Sequence, residues 1–206
     1  MPDTPPKSMG IVYHFLSLLA IRAYPVFIML FIICCNLAHY AAIIMPIQIM
    51  ESTMQMYGER DKYYMRLAID QAKAAMALGE VPIGAVIVKD GEVIAAAHNM
   101  CESSGDPTAH AELTALQAAA GKIGKRALCE CELYVTVEPC AMCAGAIINA
   151  RLKKAVFGAH EERTGCMGSV MDISDGYFIN SVRTYGGVLE NECAALMESF
   201  FCDKRQ

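Results

Sequence analysis

Two short stretches of the chain contain residue types that could perform metal chemistry. The first, Asp106-Pro-Thr-Ala-His-Ala-Glu112, has a histidine followed two residues later by a glutamate. The second, Pro139-Cys-Ala-Met-Cys143, has two cysteines three residues apart. One imidazole and two thiolates suit Zn²⁺, which is normally tetrahedral, so His110, Cys140 and Cys143 would leave the fourth position open to water. An open position is typical of a catalytic zinc site and not of a structural one.

The local sequence predicts that these ligands lie at the beginnings of two helices. Asp106 is a favourable N-cap and Pro107 a favourable first residue, which predicts that His110 lies about one turn into a helix. Pro139 is expected to open a second helix directly after the strand-like run 133–137. Both thiols then fall on one face of its first turn, where the helix dipole favours the thiolate form.

Glu112 is the residue that we expect to carry protons. Zn²⁺ lowers the pKa of bound water from about 15.7 to about 7, which gives hydroxide at neutral pH. A carboxylate that takes the water proton and passes it to the leaving group typically contributes about 10²- to 10⁴-fold. Residues at i and i+2 do not share a helix face. His110 and Glu112 must therefore approach the metal from different sides.

The elements around these motifs alternate between strand and helix. They are, in chain order, a helix over 63–78, strands over 84–88 and 93–97 joined by the turn 89–91, the His110 helix, a strand over 133–137, the Cys140 helix, a strand over 154–157 and a final helix over 192–202 capped by Asn191. The turn Lys89-Asp-Gly91 is a good hairpin signal. This order predicts an α/β domain with a mixed central sheet and helices on both faces.

The His-x-Glu and Pro-Cys-x-x-Cys motifs together form the signature of the zinc-dependent nucleobase deaminases. Beyond that signature, a larger part of the chain resembles the bacterial tRNA-specific adenosine deaminases. The stretches that carry the resemblance are 80–86, Asn99, 106–112, 133–145, 156–159, 164–165, 192–196 and 200–201. The resemblance covers about residues 58–206, so we take 56–206 as a zinc-dependent deaminase domain.

The resemblance implies the three-layer α/β/α fold of the cytidine deaminases and a hydrolytic reaction. Adenosine at the wobble position 34 of a tRNA would become inosine, with zinc hydroxide attacking C6 of the flipped-out adenine and ammonia leaving. The resemblance also implies one zinc ion per subunit, a homodimer and an anticodon loop as the partner. The usual substrate of the family is the arginine tRNA with an ACG anticodon.

The resemblance further assigns roles to individual residues. His110, Cys140 and Cys143 would hold zinc, and Glu112 would be the proton shuttle. Three more residues would contact the base: Asn99 by a hydrogen bond, and Pro82 and Ile83 as part of an apolar wall. From the residues alone, Asn99 could equally cap a turn before the loop 100–105.

Two other functions remain open at this point. Bacterial guanine deaminases carry a motif like 106–112, so a free-base or nucleoside deaminase of the guanine or cytosine type would use the same zinc and glutamate. A non-catalytic zinc or RNA-binding protein with this fold is the other alternative. Intact Glu112 argues against it, because a site without catalytic demand has no use for that carboxylate.

The composition of the chain limits the kind of RNA-binding surface and the cellular compartment that we expect. The net charge is −5, whereas RNA-binding proteins usually have a basic surface, so any tRNA contact must be a local patch. Candidate cations are Arg151, Lys153, Lys154, Arg163, Lys204 and Arg205. The ten cysteines are scattered singly or in close pairs, which is typical of a reducing cytoplasm and not of a disulfide framework.

Residues 1–55 form an apolar N-terminal extension that the resemblance does not cover. Residues 23–50 contain no Asp, Glu, Lys or Arg, and such a stretch is long enough to span a bilayer at about 20 residues per helix. Two interpretations are open: a membrane anchor, or an upstream stretch wrongly included in the reading frame, with Met54 or Met56 as the true start. Neither changes the chemistry expected of the domain.

Overall fold

The computed structural model describes residues 58–174, 176 and 178–203. The helices are α1 Glu59–Ala77, α2 Cys101–Ser104, α3 Ala111–Ile123, α4 Ala141–Ala150 and α5 Glu190–Asp203, with a 3₁₀ helix at Lys125–Glu130. The strands are β1 Gly84–Lys89, β2 Glu92–His98, β3 Glu132–Val137, β4 Lys154–Ala159 and β5 Arg183–Tyr185. The predicted extension 1–55 lies outside these residues. Within the described part, no helix is both long and apolar enough to cross a membrane.

The five strands form one mixed sheet in the order β2-β1-β3-β4-β5. β1 pairs antiparallel with both β2 and β3, whereas β3–β4 and β4–β5 are parallel. The predicted hairpin is confirmed: Asp90 and Gly91 both have positive φ, as a two-residue turn between right-twisted strands requires. The prediction of a mixed α/β sheet is therefore confirmed.

Helices cover both faces of the sheet, as predicted. On one face, α1 and α5 pack on a cluster that includes Val86, Tyr134 and Val156. On the other face, α3 and α4 pack on a second cluster that includes Ile87 and Phe157. Strand residues alternate between these two clusters because successive side chains of a strand point to opposite faces. The result is a three-layer α/β/α arrangement.

The boundaries of several elements differ from the prediction. Helix α1 begins at Glu59, four residues before the expected start, because an acidic first turn favours the positive end of a helix even where apolar spacing has not begun. Helix α5 begins at Glu190, so Asn191 lies inside it and is not its cap. Strand β5, the 3₁₀ helix and the four-residue helix α2 were not predicted.

The topology brings the chemical motifs to one edge of the sheet, by which we mean the edge formed by the ends of strands and not an outer strand. Parallel strands β3 and β4 end at the same edge, and β3 leads directly through Glu138 and Pro139 into helix α4. Strand β2 ends at His98, next to the beginning of β1, because Gly84 pairs with His98. The beginning of α3 is linked to this edge by the hydrogen bond from the Met100 N–H to the Ala109 carbonyl.

Candidate active site

The predicted metal ligands lie at the N-termini of α3 and α4, but one turn is formed differently from the prediction. Asp106 does not begin a helix: its Oδ1 accepts the Thr108 N–H at 2.8 Å and the Thr108 hydroxyl at 2.7 Å, which makes a local turn. Helix α3 therefore starts at Ala111, with His110 as its N-cap in extended conformation. The expectation that His110 lies one turn inside the helix was wrong.

Helix α4 starts two residues later than Pro139. Cys140 is its N-cap and Cys143 lies in its first turn, so the two thiols are still on one side of the same helix end. Cys143 is fully buried and Cys140 is partly exposed. The pair therefore has one thiol anchored in the core and one at the rim of the site.

The three side chains are arranged as a tetrahedral zinc site requires. His110 Nδ1 lies 3.5 Å from the Cys143 sulfur and 3.8 Å from the Cys140 sulfur. Zinc–nitrogen and zinc–sulfur bonds of about 2.0 and 2.3 Å at tetrahedral angles would separate the ligand atoms by about 3.5 to 3.8 Å. All three ligand atoms lie within 4.8 Å of one another. The residues present thus fit a zinc ion in both distance and donor type.

One of the two thiols, that of Cys140, already favours the ionised form that a metal needs. A hydrogen bond from the Cys143 thiol is the largest cause that lowers the pKa of Cys140 to about 5, and the nearby His110 lowers this pKa further. The same hydrogen bond, together with burial, raises the pKa of Cys143. The N-terminus of α4 adds its dipole to the stabilisation of a thiolate at Cys140.

Glu112 lies beside the ligands with an unused oxygen. Its side chain is 3% exposed and contacts the Cys143 thiol. Burial is the largest cause that raises the pKa of the Glu112 carboxyl. Its Oε2 is the one buried side-chain nitrogen or oxygen atom, among the described residues, that has no hydrogen-bond partner. A buried carboxylate oxygen without a partner costs free energy, which points to a role in chemistry.

The residues predicted to contact the base lie close to one another. Pro82 and Ile83 lie in the segment just before β1, and the Ile83 carbonyl accepts the Asn99 N–H at 3.0 Å. Asn99 is 3% exposed, and its amide nitrogen donates to the Glu80 carboxylate at 3.1 Å. Its side chain does not cap helix α2, whose N-cap is Met100. The turn-capping alternative for Asn99 is therefore not what the structure contains.

A second buried carboxylate, Glu138, was missed by the sequence analysis. It accepts the backbone N–H groups of Glu161, Met167 and Ser169 at 3.1, 2.9 and 3.0 Å, and also the Ser169 hydroxyl. Burial alone would raise the pKa of Glu138, but these hydrogen bonds lower it below its usual range. Glu138 thereby folds the loop 160–169 against the start of α4, where Cys140 forms a bridge with Gly165. No sequence motif predicts these contacts of Glu138.

The cations singled out in the sequence are not gathered at this site. Arg151 is the C-cap of α4, eleven residues after Cys140 and eight after Cys143, or about 12 to 16 Å along the helix. Lys154 is held by Asp61 and Glu132 at 2.8 and 3.5 Å, so it belongs to an ion-pair network at the other end of the sheet. Arg163 is exposed in the loop after β4. Residues 204 and 205 lie outside the described part of the chain.

The fold and the site together define a zinc-dependent hydrolytic deaminase, and comparison with known proteins agrees. The family model for MafB19-like deaminases matches residues 59–202. The chain therefore belongs to the MafB19-like deaminase family.

The chain is also similar to three individual proteins whose activities are known. The tRNA-specific adenosine deaminase of Bacillus subtilis strain 168 is 43% identical over 148 residues, which cover 71% of this chain and 92% of that protein. A solved structure from a study of A-to-I editing by tRNA:A34 deaminases at the wobble position of transfer RNA has 39% identity and a TM-score of 0.62, covering 65% of this chain and 98% of the other. A guanine deaminase structure from Nitrosomonas europaea has 22% identity and a TM-score of 0.58, covering 68% of this chain and 84% of the other, and shows the fold alone.

Proposed function

We propose that this protein hydrolyses adenosine to inosine at wobble position 34 of a tRNA. The observation that carries the chemistry is the unpartnered Glu112 oxygen beside a three-ligand metal site. The substrate is inferred from the relatives, because the chain matches 92% of the length of a tRNA-specific adenosine deaminase at 43% identity.

His110, Cys140 and Cys143 would hold one zinc ion per subunit. When bound, zinc supplies Lewis-acid activation of water at neutral pH. The protein's own contribution is the placement of these ligands on two helix N-termini that the sheet holds together. Cys143 and the buried start of α3 also keep bulk solvent from one side of the site.

Glu112 moves the protons of the reaction. Addition of water across the C6–N1 bond of adenine requires that one proton leave the water and one reach N1. Collapse of the adduct then moves the proton of the C6 hydroxyl to the departing amine as the C6–N bond breaks, and ammonia and inosine are the products. The free Oε2 of Glu112 is the atom that we assign to these transfers, because its other neighbours leave it no competing hydrogen bond.

The base would be bound by Asn99 through a hydrogen bond and by Pro82 and Ile83 through apolar contact. An anticodon loop presents bases that are already partly unstacked, which lowers the cost of placing one in a buried pocket. Support for this assignment comes from the hydrogen bond of the Met100 N–H, next to Asn99, to the carbonyl of Ala109, next to His110. The exposed Arg163 loop is the nearest candidate for a phosphate contact.

Three further points belong to this proposal. The tRNA is expected to be an arginine tRNA with an ACG anticodon, the enzyme a homodimer and its location the cytoplasm. The scattered cysteines support a reducing compartment. Sedimentation of the protein with and without the tRNA measures the assembly state.

The test uses the full chain loaded with zinc. It is incubated with an arginine anticodon stem-loop that has adenosine at position 34, and with guanine and cytidine in parallel reactions. Inosine formed on the stem-loop, and absent with the Glu112→Gln variant of equal zinc content, is the expected result. Ammonia from guanine or cytidine while the stem-loop stays unchanged would replace the proposal with a small-molecule deaminase.

A further inference from the structure

The carboxylate of Glu80 is fully buried beside the site but has no role in the mechanism described so far. Its side chain is 0% exposed. Oε2 accepts from the Asn99 amide at 3.1 Å and from the Glu102 N–H at 3.2 Å, while Oε1 accepts from the Ser103 N–H at 2.6 Å. Among the described residues, no ion pair involves Glu80. The group is therefore satisfied by neutral donors, which are these N–H groups and the Ser103 hydroxyl.

This arrangement fixes which end of the Asn99 amide points where. An ionised carboxylate only accepts hydrogen bonds, so the NH₂ end of Asn99 must face Glu80. The Asn99 oxygen in turn lies 3.5 Å from the Cys101 thiol, which donates to it. One N–H of the amide is then used, the oxygen is used, and the second N–H is available to a substrate.

An available N–H suits adenine better than an available oxygen would. The one donor on the adenine ring system is the 6-amine, which is the group that leaves, whereas N1, N3 and N7 are acceptors. A rotated amide would direct its oxygen at a ring nitrogen, and two acceptors repel each other. The orientation of Asn99 thus decides whether it binds the base or opposes it.

We infer that Glu80 is a positioning residue that locks the Asn99 amide so that an N–H, and not the oxygen, faces a ring nitrogen of the bound base. The inference rests on the proposed function for its substrate, because it assumes that Asn99 contacts the base. It adds a residue that touches no substrate and yet determines how the substrate is recognised.

Glu80 has one other structural task from which this role must be separated. By accepting the N–H groups of Glu102 and Ser103, it also holds the short helix α2 in place. A variant of Glu80 could lose activity because this segment moves. The test therefore asks whether the effect of Glu80 depends on Asn99.

The informative variant is Glu80→Gln, which keeps the shape and replaces one oxygen with an NH₂ group. The glutamine oxygen is expected to stay on the Ser103 N–H, because that bond is the shortest of the three and a backbone donor cannot rotate. Its NH₂ group then faces Asn99, whose amide turns over to accept from it, and the Glu102 N–H loses its acceptor. The expected result is a fall of about 10-fold in kcat/KM on the stem-loop, which is the usual effect of one misplaced hydrogen bond.

A double-mutant cycle with Asn99→Ala separates the two roles. If Glu80 acts through Asn99, the double variant stays within about twofold of Asn99→Ala alone. Losses that multiply would overturn the inference in favour of a structural role. Glu132→Gln is the matched control, since Glu132 is also a buried and hydrogen-bonded carboxylate but lies at the other end of β3. It should lower the melting temperature and leave kcat/KM unchanged.

Two further readouts separate the roles, and the second of them does not depend on activity with RNA. Stem-loops with 3-deaza- or 7-deazaadenosine at position 34 lack one acceptor each, and on one of them wild type and Glu80→Gln should become equal. In ¹⁵N NMR, the Asn99 NH₂ signals should exchange slowly with solvent in the wild type and shift in Glu80→Gln. Unprotected wild-type signals would overturn the inference, whereas protected signals in a protein inactive on RNA would mean that the proposed function alone had failed.

Discussion

The two ends of strand β3 compensate buried carboxylates in different ways. At its first residue, Glu132 is matched by cations, with Arg60 at 2.8 Å and Lys154 at 3.5 Å, and by the Tyr134 hydroxyl. Just past its last residue, Glu138 is matched mainly by backbone N–H groups and the Ser169 hydroxyl, with the His160 imidazole 3.7 Å away. Cations cancel the charge, whereas neutral donors stabilise it in place. Lysine and arginine side chains thus compensate the carboxylate at the first end, whereas hydrogen-bond donors of the loop 160–169 predominate at the end near the candidate site.

Glu112, a third buried carboxylate, has fewer hydrogen-bond partners than either of these two. It is as buried as Glu138, at 3% exposure each, yet one of its oxygens has no partner. Glu132 and Glu138 are both fully hydrogen-bonded, whereas Glu112, the carboxylate beside the candidate metal ligands, is not. Proteins deviate from full satisfaction of buried polar groups mainly at functional sites. The carboxylate with the fewest partners of the three is therefore the one that we propose as the proton carrier.

The largest effect on activity is expected from Glu112→Gln, which tests whether this carboxylate differs from the other two. Loss of the proton carrier is expected to reduce inosine formation by about 10²- to 10⁴-fold. The melting temperature should stay equal or rise, because an incompletely satisfied carboxylate is replaced by a neutral group. Single-turnover kinetics and thermal unfolding at equal zinc content measure both. A clear fall in melting temperature would contradict the idea that Glu112 is kept at a cost to stability.

Glu138→Gln should have the opposite profile. The glutamine NH₂ group cannot accept, so at least one buried N–H of the loop 160–169 loses its partner, at an expected cost of about 2 kcal/mol in the free energy of unfolding. Residual activity should remain at low temperature, since Glu138 transfers no proton. Urea unfolding and inosine formation at 10 and 37 °C check this. Complete inactivity in a variant as stable as the wild type would show that Glu138 has a chemical role.

A smaller effect is expected at the other end of β3. Tyr134→Phe removes a hydroxyl that donates to Asp61 at 2.7 Å and lies 3.0 Å from Glu132. Because Lys154 and Arg60 still pair with those carboxylates, the loss should be about 1 kcal/mol of stability with no change in kcat/KM. Urea unfolding at pH 7 measures it. Altered RNA kinetics would contradict the separation of the two ends.

Acid should act on both ends with the same sign. Hydrogen bonds, overcoming burial, lower the pKa of Glu80 and Glu138, and those of Asp61 and Glu132 are lowered with help from their cations. A lowered pKa in the folded state stabilises the protein fully above the unfolded value of about 4.5, and this stabilisation is lost as the pH falls below it. Unfolding free energy should therefore decrease below about pH 4.5. The decrease should be less steep in Glu138→Gln, by up to about 1.4 kcal/mol per pH unit.

The sequence alone predicted those parts that depend on local chemistry. The ligand set His110, Cys140 and Cys143 was predictable because spacing and donor type carry the information within a few residues. The Asp90-Gly91 hairpin was predictable because few residues tolerate positive φ. The main strands followed from apolar runs that are buried on both faces of the sheet.

The parts that were missed depend on distant contacts. Glu80 and Glu138 acquire their roles from donors about 20 to 30 residues further along the chain, and spacing does not encode such pairs. Strand β5 has only three residues and lacks the apolar alternation by which a strand could be predicted. Asp106-Pro107 fits a helix start by type, but the Thr108 hydroxyl and N–H occupy the aspartate in a tighter turn.

Gly84 limits how the specificity of this pocket could be redesigned. A Cβ atom there would overlap the backbone of Ala68 and Ala72, because helix α1 lies directly against the start of β1. Pro82 and Ile83, the residues that we propose to line the base, directly precede Gly84, so their backbone has little room to move unless helix α1 moves as well. A larger base would thus have to be accommodated by replacing a side chain such as Ile83 with a smaller one, because the backbone behind it is tightly packed against helix α1.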